Sequence, residues 1–189
     1  CISPISNGSI LIDGVDINTV PIRTLRSIIA IVPQSPFLFE GSLRDNLDPF
    51  GNLTDASLWS ALEKCQMKEA VERNGGLEVV VKGSGSSFSV GQKQLICLAR
   101  ALLRSTKILC LDECTASMDN HTAEVLVRAI ETECEGATLI AIAHRISTVM
   151  SMDDILVLEH GELVEEGNPH ALLKDSNSRF FGFAKASST

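Results

Sequence analysis

The stretch SSFSVGQKQLICLARALL (Ser86–Leu103), followed closely by KILCLDECTASMD (Lys107–Asp119), decides how this chain reads. Small residues run into a helix that Ser89 opens. Along it Leu95, Leu98, Ala99 and Leu102 recur at helical spacing as an inward stripe. The short apolar run Lys107–Leu111 reads as a buried strand, and it ends in two adjacent acids, Asp112 and Glu113. Acids at the carboxyl end of such a strand lie where open α/β sheets bind ligands.

Working outward, the same alternation continues on both sides. Gly8–Ile17 reads as a short strand, a turn at Gly14 and more extended chain. Asn18 or Thr19 is expected to cap a short helix with Pro21 in its first turn. Ile28–Pro36 reads as a buried β-branched strand broken by two prolines. From Gly41 to Arg73 the pattern turns helical, with Leu58, Leu62 and Cys65 on one face and Gly75-Gly76 as a stop. Downstream lie a helix near Thr122–Glu131, a strand at Ala137–Ala143 and a short helix at Ile146–Met150. A strand at Ile155–Leu158 then turns at His160-Gly161 into Glu162–Glu165, and Pro169 after Asn168 starts the terminal helices. Apolar strands alternating with helices predict an α/β domain with a largely parallel sheet.

The bulk numbers fit one domain. At 189 residues, 44% hydrophobic and 21% charged, the chain can bury a normal core. A net charge of −8 argues against nucleic acid, whose binders rest on Lys and Arg against phosphate. No apolar run reaches the roughly 20 residues that span a bilayer. The six cysteines form no C-x-x-C pair, which points to a reducing compartment without a disulfide framework.

Several residues are candidates for chemistry. Asp112 can hold Mg²⁺ and Glu113 can orient or deprotonate a water attacking a γ-phosphate. Ser89 and Gly91 sit at a helix start, where free N–H groups and the positive end of the dipole attract phosphate. Gln34, in IVPQSP, could reach a metal or a water, and His144, in IAIAHR, could contact a γ-phosphate. Each has a bland alternative: solvated acids, an ordinary Ser cap, a polar group at a strand end. Their order along the chain favours the functional reading.

That order resembles the nucleotide-binding domain of ABC transporters, a P-loop NTPase-like fold. Gln34 matches the Q-loop, Ser89-Val90-Gly91-Gln92 the signature, Asp112 the Walker B aspartate and Glu113 the catalytic glutamate. Ala116–Asp119 matches the D-loop and His144 the switch histidine. PFLFEGSLRDNLDPFG, SVGQKQLICLARALL and DECTASMD look like the C subfamily, the multidrug-resistance-associated proteins, and are closest to its second nucleotide-binding domain. The resemblance implies a catalytic core at 1–40 and 105–189 and a helical subdomain at about 41–104. It implies ATP and Mg²⁺, the latter held by Asp112 and Gln34. Ser89, Val90, Gly91, Gln92, Gln34 and Asp119 would contact nucleotide. The implied partners are a second such domain, docked head to tail, and the transmembrane domains of a parent transporter. The implied location is the cytosolic face of a membrane.

Phe88 and Val90 replace the usual Leu and first Gly of the signature. The larger departure is that no G-x-x-x-x-G-K-[ST] occurs, and no Gly is followed by Lys. The resemblance therefore implies a domain truncated at its N-terminal side. Charge-assisted hydrogen bonds contribute about 1.5–3 kcal/mol each, so losing three would cost about three to six decades of affinity. Hydrolysis by these residues alone is then not expected, and a non-catalytic module donating its signature in trans is the alternative. Lys107–Leu111 is further expected to present an unpaired apolar edge, because the phosphate-loop strand should lie beside it.

Overall fold

A computed structural model describes residues 7–82, 88–104, 106–143 and 145–186. The chain opens with a small antiparallel ribbon, β1 (Leu11–Ile12) and β2 (Val15–Asp16), turned at Asp13 and Gly14. Both turn residues have positive φ, 49° and 79°, which Gly adopts freely and Asp tolerates. A 3-10 turn over Ile17–Thr19 leads to α1 (Ile22–Ile28) and β3 (Ile29–Val32). A mostly helical region follows: β4 (Gly41–Ser42), α2 (Leu43–Leu47), α3 (Asp55–Lys64), α4 (Lys68–Arg73), β5 (Val80–Val81) and α5 (Val90–Leu102). Then come β6 (Ile108–Asp112), α6 (Asn120–Glu133), β7 (Thr138–Ile142) and α7 (Ile146–Val149). A closing antiparallel ribbon of β8 (Ile155–Glu159) and β9 (Glu162–Gly167) precedes α8 (Pro169–Leu172) and α9 (Arg179–Ala186).

The main sheet is parallel, in the order β3-β6-β7. Strand alternation sends side chains to opposite faces. On one face Ala30, Leu109 and Leu139 line up, and Val32, Leu111 and Ala141 beside them. This face shares one core with α5 and α6, where Ile96, Leu98 and Leu126 are fully buried. The other face carries Ile31, Cys110, Ile140 and Ile142, and the three isoleucines are 52–62% exposed. The helical region is packed more completely: Leu43, Leu58, Leu62, Cys65 and Val71 are all at 0% exposure.

Several expectations are met. Leu58, Leu62 and Cys65 share the buried side of the helical region, and the terminal helices start at Pro169 under an Asn168 cap. His160 and Gly161 form the hairpin turn between β8 and β9 with φ of 52° and 86°. Others need correction. Asn18 and Thr19 do not cap α1; they lie in the 3-10 turn that Asp16 caps, and Pro21 holds the cap position with no side-chain bond. The strand after α1 is only four residues long, and Ile31 on it is exposed rather than buried.

The expected unpaired edge at Lys107–Leu111 is also absent. β6 is the central strand, hydrogen-bonded to β3 on one side and β7 on the other. Among the described residues the open edges belong to β3 and β7. The physical reason is a crossover: α6 carries the chain from β6 back to a parallel neighbour, and β7 takes the side assigned to an upstream strand.

Candidate nucleotide site at the strand ends

β6 runs out into solvent at Asp112, which is exposed, while the next residue, Glu113, is half-buried. Glu113 extends the ladder by one step, donating its N–H to Ile142 O at 2.9 Å. It then turns the chain with φ of 45°, a left-handed conformation that non-glycine residues rarely adopt. Backbone strain of this kind costs about 1–3 kcal/mol and clusters at functional sites. The turn delivers its carboxylate to Gln34, whose Nε2 donates to Glu113 Oε2 at 2.6 Å across 79 residues of sequence. Gln34 is at the end of β3, the strand paired with β6, so the parallel register brings the two together. Cys114, directly after Glu113, is buried, and that burial pushes its thiol up to about 11. It is therefore no nucleophile at neutral pH.

A second group forms around the start of α5. Ser89 caps the helix, its Oγ accepting from Gln92 N at 3.2 Å, and Gln92 Oε1 accepts in return from Ser89 N at 2.9 Å. This is a capping box with Gln in the third position. Ser89 and Val90 remain exposed while Gly91 is buried. A Cβ on Gly91 would lie 2.8 Å from Thr122 Cγ2, so only glycine permits α5 to approach α6 this closely. Thr122 is in turn tied to Asp119, the cap of α6, whose oxygens accept from Thr122 N at 2.9 Å and Thr122 Oγ1 at 2.6 Å. The Thr122 hydroxyl first, and its N–H second, hold the exposed Asp119 carboxyl below the usual range. Both of its oxygens are thus already engaged within this chain.

The structure therefore pairs Gln34 with Glu113, next to Asp112, and separately joins the Ser89–Gln92 turn to Asp119 through Gly91 and Thr122. His144 lies outside the described residues. Its neighbour Arg145 reaches back to the turn before α6, donating from Nη2 to Met118 O at 2.8 Å and from Nη1 to Asn120 Oδ1 at 3.4 Å. Sequence reading passed over Arg145, and also over Gln94 and Arg100 of α5. The signal for Gln94 is a polar side chain inside the stripe of Leu95 and Leu98, at 1% exposure.

The donors at the strand ends are hard oxygens: a carboxamide and two carboxylates. Among the described residues no group of three or more His, Cys, Asp or Glu is placed to hold a metal ion. The set suits an ion such as Mg²⁺, which keeps waters and takes phosphate oxygens rather than a protein cage.

Comparison with known proteins gives the family. A family profile described as "ABC transporter" matches residues 2–116. The chain is 60% identical over 186 residues to the Arabidopsis thaliana protein "ABC transporter C family member 13", covering 98% of this chain and 13% of that protein. It is 47% identical over 176 residues to the Dictyostelium discoideum "ABC transporter C family member 15", covering 93% and 12%. It is 44% identical over 173 residues to the Mus musculus "ATP-binding cassette sub-family C member 10", covering 92% and 12%. The chain thus spans 12–13% of the length of these curated relatives. The profile takes in Gln34, the Ser89–Gln92 turn and Asp112-Glu113, and relatives of a single subfamily run along nearly all of the chain: it belongs to the ABC transporter family, in the C subfamily of multidrug-resistance-associated proteins.

Proposed function

We propose that this chain is part of the ATP-binding and ATP-hydrolysing domain of an ABC exporter, working on the cytosolic face of a membrane. Family membership supports ATP as the ligand. The observation that carries the reading is the Gln34–Glu113 hydrogen bond at the ends of two paired parallel strands, beside Asp112. Among the described residues no helix is long and apolar enough to cross a membrane. Membrane-spanning domains of a parent polypeptide are therefore part of this proposal. So is the division into a helical subdomain at about 41–104 and a core at 1–40 and 105–189.

In this reading Glu113 takes a proton from, or orients, the water that attacks the γ-phosphate, and Gln34 holds its carboxylate in register. Asp112 and Gln34 would hold Mg²⁺, which, when bound, supplies charge neutralisation on the phosphate oxygens. Ser89, Val90, Gly91 and Gln92 present a capped helix start to solvent, suited to the phosphates of a nucleotide held by a second domain docked head to tail. Asp119 holds the start of α6 against that turn, and His144 would contact the γ-phosphate. The phosphate cradle itself is assigned to residues other than these 189. A second reading is a module that only donates its signature turn in trans, which the exposed Ser89 and Val90 suit equally.

The test is Mg²⁺-dependent ATP hydrolysis by the longest native polypeptide that carries these residues. General-base catalysis contributes about 10²–10⁴-fold, so Glu113→Gln should lower turnover by that amount. Loss with Ser89→Arg but not with Glu113→Gln would establish the trans-only module. Unchanged turnover in both variants would reject both readings.

A further inference from the structure

Helix α5 points three side chains, Gln94, Cys97 and Arg100, at the backbone that follows β3. They are spaced three residues apart and so share one side of the helix. Gln94 Nε2 donates to Pro33 O. Cys97 Sγ lies 3.9 Å from Phe37 O, and Arg100 Nη1 donates to the same oxygen at 2.7 Å. Arg100 also donates from Nη2 to Asn46 Oδ1 at 2.6 Å. That amide in turn pairs with both the N–H and the C=O of Phe39, at 3.0 Å and 2.9 Å. The segment carrying Gln34 is therefore laced to the helix that Ser89 opens.

The first of these contacts bears directly on Gln34. The carbonyl of Pro33 belongs to the same planar peptide unit as the N–H of Gln34. A donor fixed on Pro33 O thus sets the orientation of that plane, and with it the direction in which the Gln34 side chain leaves the backbone. That side chain is the one whose Nε2 meets Glu113 at 2.6 Å.

Gln94 carries a second anomaly. Its Oε1 is buried and has no hydrogen-bond partner among the described residues. Burying an unpartnered carbonyl oxygen is unfavourable, and an apolar side chain of the same shape would remove the cost. Packing alone is thus better served by Met or Leu at this position. Only the donor end of the amide gives Gln94 its role.

We propose that Gln94 is a positioning residue for Gln34: it clamps the Pro33–Gln34 peptide onto α5, so the signature turn and the glutamine facing Glu113 move as one body. The proposal deepens the hydrolysis reading above and rests on it for its consequence on turnover. The clamp itself is a structural claim that stands apart.

Two measurements on the longest native polypeptide test it. Gln94→Met removes the donor and the orphan oxygen while keeping the bulk; Gln94→Leu serves if the first variant misfolds. Hydrogen exchange of the Gln34 side-chain amide, which donates to Glu113 Oε2 at 2.6 Å, should quicken by about tenfold or more while the backbone amides of β6 and β7 keep their protection. ATP turnover should fall by about tenfold to a hundredfold, the scale of a small misplacement of a catalytic group, with no drop in the thermal midpoint. The double variant Gln34→Ala/Gln94→Met should be no slower than Gln34→Ala alone, because residues acting in series are not additive. Additive losses, or unchanged exchange of the Gln34 side-chain amide, would overturn the proposal. Should the wild-type polypeptide hydrolyse no ATP, the hydrolysis reading falls while the exchange measurement still decides the clamp.

Discussion

The helical region and the parallel sheet bury their apolar side chains in opposite ways. In the region from β4 to α5 the large side chains of α2, α3 and α4 close on one another, and Leu43, Leu58, Leu62 and Val71 reach zero exposure. The sheet is apolar on both faces, as parallel strands with layers on each side are. Only one of its faces is covered by α5 and α6, and Ile31, Ile140 and Ile142 stand more than half exposed on the other. The first region is satisfied by its own residues. The second leaves one apolar face open among the described residues, and the contrast locates where stability resides.

The comparison breaks most visibly under truncation in the closed region. Leu62→Ala should destabilise by about 2–5 kcal/mol, the cost of a fully buried leucine plus its cavity, read as a shift in denaturant midpoint at unchanged slope. A shift below about 1 kcal/mol would show that the helical core is loose.

Thiol reactivity sharpens it next. Burial, then the neighbouring Cys134 and Glu133, push Cys65 up to about 12, while burial alone raises Cys110 on the bare face. A raised thiol pKa leaves little thiolate below it, so reactivity grows only as pH climbs toward the folded value. At pH 8 Cys110, which is half-buried, should be alkylated faster than Cys65, which reacts only through opening of the helical core. Peptide mapping after a timed pulse reads the ratio, and equal rates would contradict the assignment of faces.

Gly91→Ala comes third. The added Cβ meets a Thr122 methyl at 2.8 Å, and α5 must move off α6 or Thr122 must rotate away from Asp119. Overpacking of this kind costs about 1–3 kcal/mol. Gly91→Ala combined with Thr122→Ser should recover most of it, and no recovery would mean that the strain lies elsewhere. The smallest effect is expected on the bare face. Ile140→Thr should change the midpoint by less than about 0.5 kcal/mol while lowering binding of an apolar dye. A loss as large as that of Leu62→Ala would show that this face is already buried in solution.

Much of the local structure was legible from the chain because neighbours in sequence decide it. The Ser89 cap, the Pro169 helix start and the His160-Gly161 turn rest on hydrogen bonds and φ preferences spanning a few residues. So do the stripes of Leu58 and Leu62 and of Leu126 and Ile130, which follow from 3.6-residue periodicity. The motif order that placed the chain in its family is likewise a property of the linear sequence. Local reading failed where two signals compete: Asn18 and Thr19 looked like caps of α1, but Asp16 captured that segment into its own 3-10 turn.

What only the tertiary structure decided are contacts between residues far apart along the chain. That β6 lies between β3 and β7, and is no edge, depends on the route of the crossover through α6. The pairing of Gln34 with Glu113, the close approach of Gly91 to Thr122 and the grip of Gln94 on Pro33 carry no local signature. Periodicity tells each strand and helix which of its faces is apolar. Which apolar faces meet depends on sheet order, register and closeness of packing, and these set where each polar side chain finds its partner.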